Sequence, residues 1–241
     1  MAGPHTAMVL AAGLGKRMAP ITDTTPKPLV KVAGKSLIDW GLEALENVGV
    51  ERAIVNVHYL ADQVDAHLAK RKTPAIVISD ERNELLDSAG GIINALPKIG
   101  SDPFYVLNAD TFWVDGPKPN LVLLAEGWDD ARMDILLMIA AKDQATGYDG
   151  RGDFHMGNDG RLRRLAIGET SPNIYAGAAV IHPRIFASAA TGKASLNRYF
   201  DAAIAMDRLY GLRMDGLWLT VGTPDAIGEA EAAIARQTVN G

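Results

Sequence analysis

Short apolar runs alternate with longer stretches of helical spacing through the first half of the chain, the pattern of βαβ units feeding a mainly parallel sheet. Residues 8–11 form the first run. Leu37, Trp40, Ala44, Leu45 and Val48 then share one face of a helix predicted to start near Ser36, with Gly49 placed to end it. Residues 53–57 read as a strand, Leu60, Val64 and Leu68 recur at helical spacing, and 75–78 are the next apolar run, so the pattern repeats. Ser88 is placed to cap a helix through Ile92, Ile93 and Leu96 that Pro97 should stop. Residues 104–107 read as a buried strand ending at Asn108-Ala109-Asp110. Loops at such strand ends are where open α/β sheets bind ligands.

In the second half, the run 135–141 precedes a polar stretch rich in glycine. Asn158-Asp159-Gly160 predicts a hairpin turn between 154–156 and 162–165. Residues 174–181 form a further strand, 195–206 a helix, and 210–214 and 217–221 two short strands flanking Asp215-Gly216. Thr223 is placed to cap a last helix with Pro224 at its first position. No repeat or low-complexity linker interrupts the chain. At roughly 100–200 residues per domain, 241 residues suit one core. The expectation is a single α/β domain over 1–241 with a small antiparallel lobe at about 145–220.

Composition narrows the functional classes. Hydrophobic residues at 48% and charged residues at 22% are ordinary globular usage, which excludes disordered and coiled-coil classes. The net charge of −5 gives no general attraction to nucleic acid or anionic lipid, so any cationic site must be local. The absence of cysteine removes thiol nucleophiles, disulfides and zinc-thiolate sites. No stretch approaches the roughly 18 apolar residues of a membrane span, and the run 7–12 lacks the length and preceding charge of a signal peptide. The cytoplasm is the expected compartment.

The segment Leu10-Ala11-Ala12-Gly13-Leu14-Gly15-Lys16-Arg17-Met18 places small residues at the end of the first strand and two cations beyond them. Glycines let backbone N–H groups approach an anion, and the cations neutralise phosphate charge, so the loop reads as a polyphosphate cradle. Two commoner phosphate motifs fail on spelling. Met18 stands where a dinucleotide fingerprint needs a third small residue, and Leu29 stands where a P-loop ending in Gly34-Lys35-Ser36 needs its first glycine. Thr25-Pro26-Lys27-Pro28-Leu29 follows, with two prolines holding the lysine backbone extended.

With Asn108-Ala109-Asp110, these segments resemble the sugar-1-phosphate nucleotidyltransferase family in order and spacing. The likeness continues through Val57-His58-Tyr59-Leu60, Asp87-Ser88-Ala89-Gly90-Gly91, Gly150-Arg151-Gly152-Asp153-Phe154, Tyr175-Ala176-Gly177 and Trp218-Leu219-Thr220-Val221-Gly222-Thr223-Pro224, covering residues 6–237. The short length and the segment 150–154 look most like the N-acetylmuramate-1-phosphate uridylyltransferase branch.

The resemblance implies a Rossmann-like nucleotidyltransferase fold with the antiparallel lobe binding sugar. It implies Mg²⁺-dependent attack of a sugar 1-phosphate on the α-phosphorus of a nucleoside triphosphate, expelling pyrophosphate. Arg17 would face the β- and γ-phosphates, Lys27 would bridge the α-phosphate and the incoming sugar phosphate, and Asp110 would hold Mg²⁺. Ala11, Ala12 and Gly13 would lie against base and ribose, with Gly15, Lys16 and Asn108 completing the nucleotide site and Asp87-Ser88 reading the base edge. Gly150, Glu169, Tyr175 and Gly177 map to the sugar side. One departure stands out: Thr220 occupies a position where the family usually has an aspartate or asparagine, so Thr220 is expected to contact the metal through water. The implied partners are a nucleoside triphosphate and a sugar 1-phosphate, with no nucleic acid or membrane, and nothing in the pattern specifies an oligomeric state.

The remaining polar features read as structural. His5, His58, His67, His155 and His182 show no metal-ligand spacing, and Arg161, Arg163 and Arg164 read as a solvated hairpin face. Trp218 reads as core or as support for the metal loop. The rivals are a guanylyltransferase acting on mannose or heptose 1-phosphate, a nucleotide-sensing module without turnover, and an interaction domain that only keeps the fold.

Overall fold

In the computed structural model, which describes residues 3–240, the predicted alternation becomes a mixed seven-stranded sheet. The chain runs β1 (Thr6–Leu10), β2 (Lys31–Val32), β3 (Lys35–Ser36), α1 (Leu37–Asn47), β4 (Arg52–Val57), α2 (Ala61–Leu68), β5 (Ala75–Asp80) and α3 (Asp87–Ile99). It continues through β6 (Phe104–Asn108), β7 (Thr111–Asp115), α4 (Asn120–Gly127), β8 (Ile135–Ala141), β9 (Ala145–Thr146), β10 (Phe154–Met156) and β11 (Leu162–Arg164). Last come β12 (Asn173–Ile181), α5 (Asn197–Ala205), β13 (Leu209–Arg213), β14 (Gly216–Thr220) and α6 (Asp225–Asn240).

The main sheet has the order β13-β8-β12-β6-β1-β4-β5. Its β6-β1-β4-β5 part is parallel, while β12 runs antiparallel between β6 and β8. The central strands are mostly apolar because helices cover both faces, with Asn56 of β4 a buried exception. On one face, Ile38, Leu42 and Leu45 of α1, Val64 and Leu68 of α2 and Leu124 of α4 pack on the sheet. On the other face lie Ile92 and Ile93 of α3 and Tyr199 and Phe200 of α5. From β1 the chain steps to β4 and β5 on one side and then returns to β6 on the other. This reversal opens a crevice at the carboxyl ends of β1 and β6, where Ala11 and Asp110 follow.

Several local expectations are corrected. Pro97 does not stop α3, which continues to Ile99; near a helix end a missing N–H forfeits one bond without breaking the turn. Ser88 is not the cap of that helix, since its hydroxyl accepts from the Leu196 amide at 2.9 Å. The last helix begins at Asp225, after Pro224 rather than on it. The two strands flanking Asp215-Gly216, about which no pairing was expected, fall in different sheets: β13 edges the main sheet, whereas β14 lies between β7 and β9 in a three-stranded sheet. Within 145–220, β10 and β11 form the expected antiparallel hairpin, while β12 and β13 belong to the main sheet. Arg164 is not a solvated charge: it donates to Asp201 at 2.7 Å and lies over the Phe154 ring at 4.9 Å, pinning the hairpin to α5.

Candidate active site

The crevice contains two adjoining chambers. The first, about 420 Å³, is walled by Ala11, Ala12 and Gly13 after β1, by Lys27, by Asp87 and Ser88 at the start of α3, and by Asn108 and Asp110 after β6. The second, about 310 Å³, is walled by Asp153, Phe154, Arg164 and Tyr175. Leu10, Ser88 and Asn108 line both. The glycine-bearing turn, the proline-flanked lysine and the carboxylate of Asp110 thus meet at one cavity.

Lys27 donates to Oδ2 of Asp110 at 2.7 Å, and its side chain is only 11% exposed against 40% for Asp110. Pro26 and Pro28 hold the short turn that aims it, and Gly15 makes room for it. Gly15 has φ +63, and a Cβ there would come within 2.9 Å of the Lys27 Cβ and 3.0 Å of Thr22. Among the described residues, Oδ1 of Asp110 accepts no hydrogen bond.

The loop after β1 is anchored from below by groups that sequence spacing did not single out. The Ala11 amide donates to Asn56 Oδ1 at 2.7 Å, Asn56 donates to Glu81 at 2.8 Å, and the other Glu81 oxygen accepts from the Leu86 amide at 3.1 Å. Asn56 and Glu81 are each 3% exposed. This buried relay fixes the loop after β1 to the segment entering α3, so both walls of the first chamber share one support. A lone Asn inside the apolar run of β4 was its only signal.

Arg17 is exposed and lines neither chamber. Its guanidinium lies against Gly222, where a Cβ would be 3.4 Å from Nη1, and it makes no hydrogen bond among the described residues. Lys16 beside it is likewise exposed and, among the described residues, has no side-chain partner. Thr220 pairs with Thr111 across β14 and β7, and the following Val221 amide donates to the Asp110 carbonyl at 3.2 Å. Trp218 is core, with its indole N–H donating to the Ala176 carbonyl at 2.8 Å.

On the sugar side, Tyr175 walls the second chamber with a buried hydroxyl that has no hydrogen-bond partner among the described residues. Burial, aided by the charge of Asp110, holds its phenol above the usual range. Asp153 accepts from the Tyr175 amide at 2.8 Å, and burial raises its carboxyl despite that bond. Gly177 lies against Asn108 and Thr111. Gly150 and Glu169 line neither chamber. The Gly150 carbonyl accepts from Lys142, and the Glu169 carboxylate accepts from the Ala166 amide at 2.8 Å, His155 at 2.9 Å and Arg163 at 3.3 Å.

The histidines serve as local partners: His58 to the Glu81 carbonyl, His67 to Asp39, and His182 to the Arg184 amide. Among the described residues, no three of His, Cys, Asp and Glu gather into a metal site. Lys193, absent from the sequence argument, also lines the first chamber.

Residues 6–166 match the family described as nucleotidyl transferase. The chain belongs to that family. It is 44% identical over 236 residues to N-acetylmuramate alpha-1-phosphate uridylyltransferase of Caulobacter vibrioides, covering 96% of this chain and 98% of the relative. It is 33% identical over 229 residues to the protein of the same description from Neisseria meningitidis, covering 94% and 96%. Among solved structures, the inositol-1-phosphate CTP transferase from T. maritima superposes with a TM-score of 0.77 at 18% identity, covering 97% of each chain. The chain is therefore a nucleotidyltransferase, and this superposition supports the α/β fold. Among the described residues, no helix is long and apolar enough to cross a membrane.

Proposed function

We propose that this enzyme transfers a uridylyl group from UTP to N-acetylmuramate 1-phosphate, in the cytoplasm, returning a cell-wall sugar to the nucleotide-sugar pool. The observation that carries the reading is the end-to-end match to the Caulobacter vibrioides relative, 44% identical over 98% of its length. The paired chambers supply the complementary geometry, with room for a nucleotide beside room for a sugar.

In the reaction, an oxygen of the sugar phosphate forms a bond to the α-phosphorus while the bond to the bridging oxygen breaks, and pyrophosphate leaves with that electron pair. The nucleophile is already an anion near neutral pH, so the protein need not remove a proton. Its task is positioning and neutralising charge. Lys27, nearly buried and aimed by its prolines, supplies a fixed positive charge to the α-phosphoryl group. Arg17 and Lys16, exposed and without protein acceptors among the described residues, suit the β- and γ-phosphates. The backbone at 11–13 abuts base and ribose, and Asp87 and Ser88 face the base. Tyr175 offers its unpartnered hydroxyl to the sugar.

The donor set suits a hard divalent cation. Mg²⁺ is commonly held through one or two carboxylates, with phosphate oxygens and water completing its shell, and Oδ1 of Asp110 has no hydrogen-bond donor among the described residues. Asp110 would hold the ion, and Thr220 would reach it through water. When bound, the ion neutralises phosphate charge.

Pyrophosphate release across UTP, CTP, GTP, ATP and dTTP, each with N-acetylmuramate, N-acetylglucosamine, glucose and mannose 1-phosphates, tests the reading. The largest kcat/KM is expected for UTP with N-acetylmuramate 1-phosphate. Preference for GTP with mannose 1-phosphate overturns it in favour of a guanylyltransferase, and nucleotide binding without release across the panel favours a sensor.

A further inference from the structure

N-acetylmuramate differs from N-acetylglucosamine by a lactyl ether that ends in a carboxylate. An enzyme acting on it needs a cation for that group, and neither Lys27 nor Arg17 serves if both attend to phosphates. Resting on the sugar assignment above, we propose that Lys193 binds the lactyl carboxylate and sets the preference for N-acetylmuramate.

Position is the first argument. The segment before α5 is fastened to the start of α3. The Ala89 and Gly90 amides donate to the Ala194 carbonyl at 2.9 and 3.0 Å, the Ala194 amide donates to the Leu86 carbonyl at 3.0 Å, and the Leu196 amide donates to the Ser88 hydroxyl at 2.9 Å. Gly90 permits this approach, because a Cβ there would strike the Gly192 carbonyl oxygen. Lys193 is therefore held by docked residues on both sides while its long side chain stays exposed on the wall of the first chamber. Leu196 and Asn197, a few positions on, wall the second. Lys193 thus lines the first chamber three positions ahead of Leu196, which walls the second.

Charge is the second argument. Among the residues lining the chambers, Lys27 is engaged by Asp110 and Arg164 by Asp201. Asp153 adds a carboxylate to the second chamber, and Asp87 adds one to the first, where an Asp87 oxygen accepts from the Ser88 amide at 2.6 Å. A sugar carboxylate is repelled from Asp153, and among the described residues the one chamber-lining cation without a protein partner is Lys193. An ammonium on a flexible four-carbon stem can follow a substituent that swings about an ether bond.

The test compares wild type, Lys193→Met and Lys193→Arg with N-acetylmuramate and N-acetylglucosamine 1-phosphates under saturating UTP. Calorimetric affinities of the full chain for UDP-N-acetylmuramate and UDP-N-acetylglucosamine provide a readout independent of turnover, and thermal melting confirms folding. Lys193→Met is expected to lower the ratio of kcat/KM for the muramate over the glucosamine substrate at least tenfold, and the ratio of product affinities in the same direction. Lys193→Arg should retain most of both preferences. An equal loss with both sugars would assign Lys193 to a phosphate and overturn the proposal, as would no loss with either. A wild type that ignores N-acetylmuramate 1-phosphate with every nucleotide sinks the sugar assignment itself, a result visible before any variant is compared.

Discussion

Nζ of Lys27 lies 2.7 Å from Oδ2 of Asp110, joining two chain segments 83 positions apart at the floor of the first chamber. Each charge holds the other in place before substrate arrives. Lys27→Ala should reduce kcat by about 10²–10³, the scale of losing one charge-assisted donor in a preorganised site. Asp110→Ala should abolish the Mg²⁺-stimulated rate. Because the residues act as a unit, the double variant should be little worse than the poorer single one, which a double-mutant cycle on kcat measures. Additive losses would show that the pair acts separately.

Asn56 and Glu81 offer a test away from the ligands. Asn56→Leu removes the acceptor of the Ala11 amide and leaves Glu81 with an unanswered oxygen in the core. Urea unfolding should register a loss of about 1–3 kcal/mol. KM for the nucleotide should rise, because the loop after β1 loses its anchor. Unchanged nucleotide KM at reduced stability would show that the relay supports the fold alone.

Tyr175→Phe removes a buried hydroxyl that no described protein group satisfies. Stability should hold or improve, since the folded protein gives up no bond. If the hydroxyl awaits a ligand, kcat/KM for the sugar phosphate should fall about threefold to tenfold, the worth of one hydrogen bond. Identical sugar kinetics in the two proteins would remove Tyr175 from the site.

The Glu169 carboxyl is held down to about 2 from the ordinary 4.5, chiefly by the Ala166 amide and then by His155. A depressed acid stabilises the fold in its charged form, so its contribution is complete above about pH 4.5 and vanishes as pH falls toward 2. Glu169→Gln should therefore melt below wild type at pH 7, with the gap closing between pH 4.5 and 2. A gap that stays constant across that window would mean the carboxylate charge is not what matters.

What the sequence made legible follows from what repeats locally. The runs that became β1, β4 and β6 were plain because strands covered on both faces are largely apolar, β5 at the sheet edge kept the apolar run 75–78, and the loops after β1 and β6 were placed correctly at their carboxyl ends. Sheet membership was not legible for β13 and β14, since two short runs separated by Asp215-Gly216 look alike whether they pair or part. Lys27 and Asp110 were named from a family resemblance, but nothing local encodes their mutual contact. Lys193 carried no periodic signal, because its place depends on a docked segment rather than on a regular element. Arg164 looked solvated for a related reason: its partners, Asp201 and Asn197, sit on a helix more than 30 positions away.

Ser88 is a party wall. Its side belongs to both chambers, and its hydroxyl is tied to the residue just ahead of α5. A compound long enough to straddle that partition, carrying a uridine mimic at one end and an acidic sugar mimic at the other, would surrender its translational freedom once rather than twice. It should hold far more tightly than either fragment, provided the linker matches the span.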